Sequence, residues 1–266
     1  MGLATRILPP VGFGVRADRL IERNVMVYRR TWLVILSGFF EPLFYLLGLG
    51  FGLGALIGDV QGPGGQALPY AVFVAPGLLA TSAMNGAIFE STFNVFFKLK
   101  YAKTYDAIVA TPMAIGDVAV GEVGWSLIRG GLYATGFLVV MVLLGLARSP
   151  LAILAIPGAL LVGFAFAAVG MAVTTWMRTW QDFDLVFVII LPLFLFSATF
   201  YPLSAYPEPI AAIVGLTPLF QGVDLLRQLT TGAIEPTFVV RIAYLVAMGL
   251  AGLAVVSSRL DRLLLK

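Results

Sequence analysis

Apolar residues gather in six long stretches, Trp32–Phe51, Tyr70–Phe89, Ile128–Leu146, Leu151–Met171, Phe183–Tyr201 and Thr237–Val256. An α-helix needs roughly 20 predominantly apolar residues to cross about 30 Å of hydrocarbon, so each stretch predicts a transmembrane helix. Between the last two lies a segment, 202–236, in which Ile210–Phe220 is apolar but too short to span and is broken by Gly215 and Pro218. It predicts an external re-entrant or interfacial helical hairpin. After Pro218, Leu219, Val223 and Leu226 share one helical face while Asp224, Arg227 and Gln228 share another, a pattern suited to a water boundary. The Gly- and Pro-rich loop Gly52–Pro69 reads as flexible and carries no recognisable chemistry.

Ahead of the first stretch, across 13–31, Arg16, Arg19, Arg23 and Arg30 line one side of a helix and Ile21, Val25, Tyr28 and Trp32 the opposite side. This predicts an amphipathic helix on the membrane surface, each Arg gaining about 1 kcal/mol at anionic headgroups. A topogenic anchor without a further role would show the same basic flank. An N-terminus on the cytoplasmic side places Arg6, Arg29, Lys98, Lys100, Lys103, Arg178, Arg259, Arg262 and Lys266 there together with those four, and leaves outside only Arg148, Arg227 and Arg241. The positive-inside rule then fixes the orientation, and an even number of spans returns the C-terminus to the cytoplasm. Met1–Val15 lacks the continuous apolar core of a cleaved signal peptide.

Composition narrows the chemistry. Of 266 residues, 60% are hydrophobic and 12% charged, which fits an all-α integral membrane domain and leaves no stretch for a separate soluble core. With no Cys and no His, thiolate or imidazole metal sites, disulfides and Ser-His-Asp triads are excluded. The net charge of +3 sits beside the spans, not in a soluble basic patch, so nucleic acid is not an expected partner. No Lys follows a Gly, so the phosphate-cradling Gly-x-x-x-x-Gly-Lys-Ser/Thr loop is missing. Gly48, Gly50, Gly52 and Gly54 suit close helix packing instead.

The cytoplasmic segment 98–117 predicts a short helix, capped near Thr104 and stopped before Pro112, that shows Tyr105, Ile108 and Val109 at i, i+3 and i+4 beside Asp106. Such a face docks in a groove of a soluble partner, or rests on the protein's own membrane ends. Glu41, Glu90, Glu122 and Arg129 fall at or near membrane depth, where an isolated charge costs at least about 2.5–3.5 kcal/mol. They read as a polar part of a translocation route or as ion-pair locks between helices. Glu122 and Arg129, seven apart, share a face and call for partners on a neighbouring helix.

Several ordered pieces carry a resemblance: Glu41-Pro42-Leu43-Phe44-Tyr45-Leu46-Leu47 with the glycines that follow, Ala75-Pro76-Gly77-Leu78, Phe89-Glu90-Ser91, Tyr105 through Thr111-Pro112, Gly121-Glu122, and Pro218 through Asp224 and Arg227 to Gly232. Together, over nearly the whole chain, they resemble the permease subunit of type-2 ABC exporters, in the branch of nodulation-factor, lipooligosaccharide and daunorubicin-type export permeases. The resemblance implies one transmembrane domain over 1–266, with the 98–117 loop as the coupling helix that meets an ATPase. It also implies two copies of that cytoplasmic ATPase, which bind ATP and Mg, and a second permease copy or paralogue. No cofactor is expected on this chain itself. A secondary transporter or channel would show paired intramembrane acids in internal repeats, a lipid-processing enzyme would cluster its acids at one membrane face, and a scaffold would carry neither.

Overall fold

The computed structural model describes residues 16–29 and 40–264. Trp32, Arg30, the ends of the 13–31 segment, the chain termini and the side chain of Val109 lie outside the described residues. Among those described, five helices are long and apolar enough to cross a membrane, and they occupy five of the six predicted stretches. They are α2 (Phe40–Ile57), α3 (Tyr70–Tyr101), α5 (Ile115–Leu143), α6 (Pro150–Thr174) and α10 (Thr237–Leu264). The surface segment α1 (Ala17–Tyr28) and the short α4 (Thr104–Val109) complete the N-terminal half.

The axis of the fold is α3. Of its most apolar 18-residue window 78% is buried inside the protein, against 17% for α2, so α3 is wrapped by other helices while α2 stands at the edge. With 32 residues it is about 48 Å long, longer than the roughly 30 Å hydrocarbon core. The helix α6 lies against α3, α5 and α10. Close approach to α10 depends on Gly252, where an added Cβ would sit 2.8 Å from the backbone of Ala168. Local signals start these helices. The Ser149 hydroxyl accepts from the Leu151 amide before Pro150, and the Asp117 carboxylate accepts from the Ala114 amide at 2.9 Å.

The remaining predicted stretch, Phe183–Tyr201, is the exception. Its helix α7 (Phe183–Leu195) has 13 residues, about 20 Å of rise, which is less than a bilayer core. The chain continues through 196–201 without regular structure, and Ala198 takes a left-handed φ of +53°. Irregular backbone at membrane depth is tolerated only inside protein, and Ser197, Ala198 and Thr199 are buried.

Two helices, α8 (Glu208–Leu216) and α9 (Pro218–Thr231), follow and meet at 83°. Pro218 starts α9, and Gly232, at φ +81°, ends it. The expected flexible loop at Gly52–Pro69 is corrected: α2 runs on to Ile57, and a two-stranded antiparallel ribbon follows, pairing β1 (Asp59–Gln61) with β2 (Ala67–Pro69). Positive φ at Gly58, Gly64 and Gly65 supplies the turns, and the Gly64 amide donates to the Glu235 carboxylate at 3.0 Å.

Candidate functional site

A cavity of about 320 Å³ opens inside the apolar bundle. Glu41 and Tyr45 line it from α2, Ser82, Asn85, Glu90 and Asn94 from α3, Arg129 and Tyr133 from α5, Tyr28 from α1 and Phe194 from α7. Three of the four ionisable residues singled out from the sequence thus share one chamber. In its wall Arg129 pairs with Glu90, whose side chain is 2% exposed. Around the pair, Asn94 donates to Glu90 at 2.7 Å, the Tyr28 hydroxyl donates to Glu90 at 3.3 Å, and Arg129 donates to the Tyr133 hydroxyl at 3.0 Å. Burial, with Glu90 alongside, pushes the Tyr28 hydroxyl up to about 12, so it stays protonated and keeps donating at neutral pH. Opposite them, Glu41 makes no ion pair among the described residues. Phe89 and Phe93, themselves stacked with centroids 5.3 Å apart, add aromatic wall.

Glu122 lies elsewhere, in a second buried pair. Lys98 meets its carboxylate at 2.7 Å, and Asn24 of α1 donates to the same group at 3.4 Å. Lys98, read from sequence as loop, belongs to the last turns of α3 and points inward, with its side chain 14% exposed. The same contacts turn α1. Its inward stripe is Ala17, Leu20 and Asn24, while Val25, expected on the apolar side, is exposed. Leu20 seats on Gly121, where an added Cβ would come within 2.8 Å of it.

The short helix α4 departs from expectation in its outward face. Tyr105 is fully buried, Ile108 is half-buried against the core, and Asp106 and Pro112 are exposed. Tyr105 therefore anchors α4 to the membrane domain and does not belong to its outer face. Its hydroxyl makes no well-aligned hydrogen bond, and burial together with nearby Glu122 raises it well above the usual phenol range. Thr104 supplies no cap; Lys103, with φ +50°, turns the chain out of α3 instead. Arg16 reaches this segment by donating to the Pro112 carbonyl, and its amide donates to Asp117 at 3.2 Å. Arg19 pairs with Asp18 and Glu22 of its own helix, and Arg23 is exposed.

Comparison with known protein families matches residues 18–230 to ABC-2 type transporter. The chain belongs to the ABC-2 type transporter family. It is similar to Nodulation protein J of Rhizobium leguminosarum bv. viciae, 33% identical with 87% of each chain covered. It is similar also to Nodulation protein J of Rhizobium meliloti (strain 1021), at 32% and 80% of each chain, and of Azorhizobium caulinodans, at 26% with 91% of this chain and 96% of that protein covered. It is thus a multi-pass membrane permease subunit of the ABC exporter type.

In this ABC-2 permease Pro218, Asp224 and Arg227 all lie on α9, but they belong to separate contacts. Asp224 pairs with Arg241 and accepts from Gln228 at 2.6 Å, and Pro218 opens the helix that carries them. Arg227, 3% exposed, has no salt-bridge partner among the described residues. Its guanidinium stacks 3.8 Å from the Phe73 ring centre and donates to the carbonyls of Phe73 at 3.1 Å and Ala198 at 2.8 Å. It thereby satisfies backbone of the unwound stretch after α7. Sequence reasoning missed Lys98, Asn24, Asn94 and Tyr133 as members of these groups. Lys98 was hidden in the run Lys98, Lys100, Lys103, and a search for opposite charges on successive helices would have found it.

Proposed function

We propose that this permease is the membrane half of an ATP-driven exporter in a bacterial inner membrane, with both termini in the cytoplasm, α7 and the irregular stretch 196–201 after it together making the sixth crossing. Its cargo is an amphipathic molecule, lipid-linked, glycan or drug-like, whose polar head enters the chamber between α2, α3 and α5. The observation that carries this reading is a cavity walled in part by aromatic rings that holds a carboxylate, Glu41, with no ion pair among the described residues. A chamber of this size suits a drug-sized head, and the exposed apolar edge around Phe44, Leu185 and Val188 leaves the acyl part in lipid or against a second permease copy.

ATP and Mg reside on two copies of a separate cytoplasmic ATPase, which docks on the outer face of α4 at Asp106 and on the turn after it at Pro112. Tyr105 and Ile108, held from beneath, transmit its movement to α3 and α5. Arg16, bound to the Pro112 carbonyl, braces α1 against the same segment. The chain has no native cysteine, so a single Cys at Asp106 can be cross-linked to the ATPase in membranes. Cross-linking that changes with ATP, together with ATP-dependent export in proteoliposomes, is the expected result. Cross-links to the permease alone, with transport that persists in the absence of any ATPase, would overturn the reading.

A further inference from the structure

We infer that the chamber selects cargo carrying one positive charge, a protonated amine on an amphiphile. The inference rests on the export reading for its physiological meaning, but it is built on the lining of the cavity. The described residues around it carry two carboxylates, Glu41 and Glu90, and one guanidinium, Arg129, so the chamber holds a formal charge of −1. Arg129 is already committed to Glu90, and among the described residues the charge left without an ion-pair partner is that of Glu41, which is exposed.

A carboxylate on an apolar, membrane-crossing helix is costly until it finds a counter-charge. The hydroxyl and amide groups of Ser82, Asn85 and Asn94 are dipoles and do not cancel it. Much of the remaining wall is aromatic, with Tyr45, Phe89, Phe93 and Phe194. Ring faces attract cations, more strongly where water is thin. Phe194 is itself held edge-on to Tyr45 with centroids 5.8 Å apart, so part of this wall is fixed before a ligand arrives.

Three headgroup classes therefore rank differently. An anionic head meets a chamber of its own sign. A neutral polyol finds hydrogen bonds but leaves the Glu41 charge where it was. A primary ammonium pairs with Glu41, faces the rings, and donates its remaining hydrogens to the amide and hydroxyl groups. The alkyl part of such a molecule fits the open apolar side toward α7.

The test uses the full permease with its ATPase in lipid nanodiscs. The ligands are a diazirine-bearing dodecylamine and its N-acetylated twin, which differ only in charge, and labelled peptides are mapped by mass spectrometry. The amine should label peptides of α2 or α3 saturably, compete with unlabelled dodecylamine, and exceed its neutral twin by about tenfold. Glu41→Gln should reduce that preference to about twofold or less, while Glu41→Asp retains most of it. Equal labelling by amine and amide in the unmodified protein overturns the inference whether or not the variants assemble, as does an unchanged preference in assembled Glu41→Gln. The two readings separate cleanly. Charge-selective, Glu41-dependent labelling in a complex that shows no ATP-driven export sinks the export reading alone, whereas ATP-driven export with indiscriminate labelling sinks the charge selectivity alone.

Discussion

Breaking the Glu90–Arg129 pair by one partner should harm the protein far more than removing both. With Arg129→Leu, Glu90 stays buried, its side chain 2% exposed, with only Asn94 and Tyr28 to donate to it. Removing one partner of a buried pair costs about 3–5 kcal/mol. Arg129 is 15% exposed toward the chamber, where water can partly replace it, so the lower end, about 3 kcal/mol, applies. Glu90→Gln leaves the guanidinium without a counter-charge instead, with only the position-90 amide oxygen and the Tyr133 hydroxyl as close acceptors, at similar cost. For a chain of this size 1 kcal/mol moves the melting temperature by about 2–4 °C, so each single variant should melt about 6–12 °C lower. The double variant removes both charges while an amide at position 90 still accepts from Asn94 and Tyr28, so its coupling energy should be at least about 2 kcal/mol. Thermal unfolding followed by tryptophan fluorescence in nanodiscs measures all four proteins. Single variants within about 2 °C of wild type, or a double variant that loses the sum of the two, would refute the view that these charges lock α3 to α5.

Other outcomes follow from the remaining groups. Tyr105→Phe should be neutral or slightly stabilising, because the buried hydroxyl makes no well-aligned hydrogen bond, whereas Tyr105→Ala should cost about 3–5 kcal/mol by leaving a cavity; melting temperatures decide. Arg227→Met should free the carbonyls of Phe73 and Ala198, so a Thr199→Cys thiol, buried in the unmodified protein, should react with maleimide only in that background. Asp182, ahead of α7, accepts from the Arg178 amide at 2.6 Å and the Thr179 amide at 3.1 Å, and these bonds hold its pKa below the ordinary carboxylate range. Its contribution is therefore present above the unfolded value of about 3.9 and is lost as pH falls through the lower folded value. Hydrogen exchange at those two amides should lose protection below about pH 4 in the wild type and show no such step in Asp182→Asn.

Hydropathy located the spans because transfer into hydrocarbon depends on residue composition over about 20 positions, and it misplaced a helix end where backbone geometry decides. Phe183–Tyr201 is as apolar as its neighbours, yet Ala198 adopts φ +53° and the helix stops at Leu195. What permits that break lies far along the chain. Arg227 caps the Ala198 carbonyl freed by the break, and Gly77 leaves room for Thr199, which an added Cβ would meet at 2.9 Å. A window sliding along the sequence reads none of this, since each element of the arrangement is supplied by a different helix. The two readings of the Tyr105 face were left open by the sequence for a related reason. The spacing of Tyr105 and Ile108 marks a face but not which way it points, and the core beneath α4 claimed it.

The charges along α3 and α5 contain more information than their separate costs suggest. Along α3 the order is Glu90 then Lys98, and along α5 it is Glu122 then Arg129, so acid precedes base in both. Laid parallel, the two helices would set acid against acid and base against base. Laid antiparallel, Glu90 meets Arg129 and Lys98 meets Glu122, the two pairs observed. The spacings, eight residues on one helix and seven on the other, are about 12 and 10.5 Å of rise, close enough for long side chains to absorb the difference. Sliding one helix by a turn, about 5.4 Å, would break both pairs together and bury four unmatched charges. Apolar contacts alone tolerate such a slip in lipid, where the hydrophobic effect does not distinguish one packed register from another. The two ion pairs fix the register, and with it they fix the wall of the chamber, because Glu90 and Arg129 line the cavity while Glu122, through Asn24, holds α1 in the position from which Tyr28 closes it.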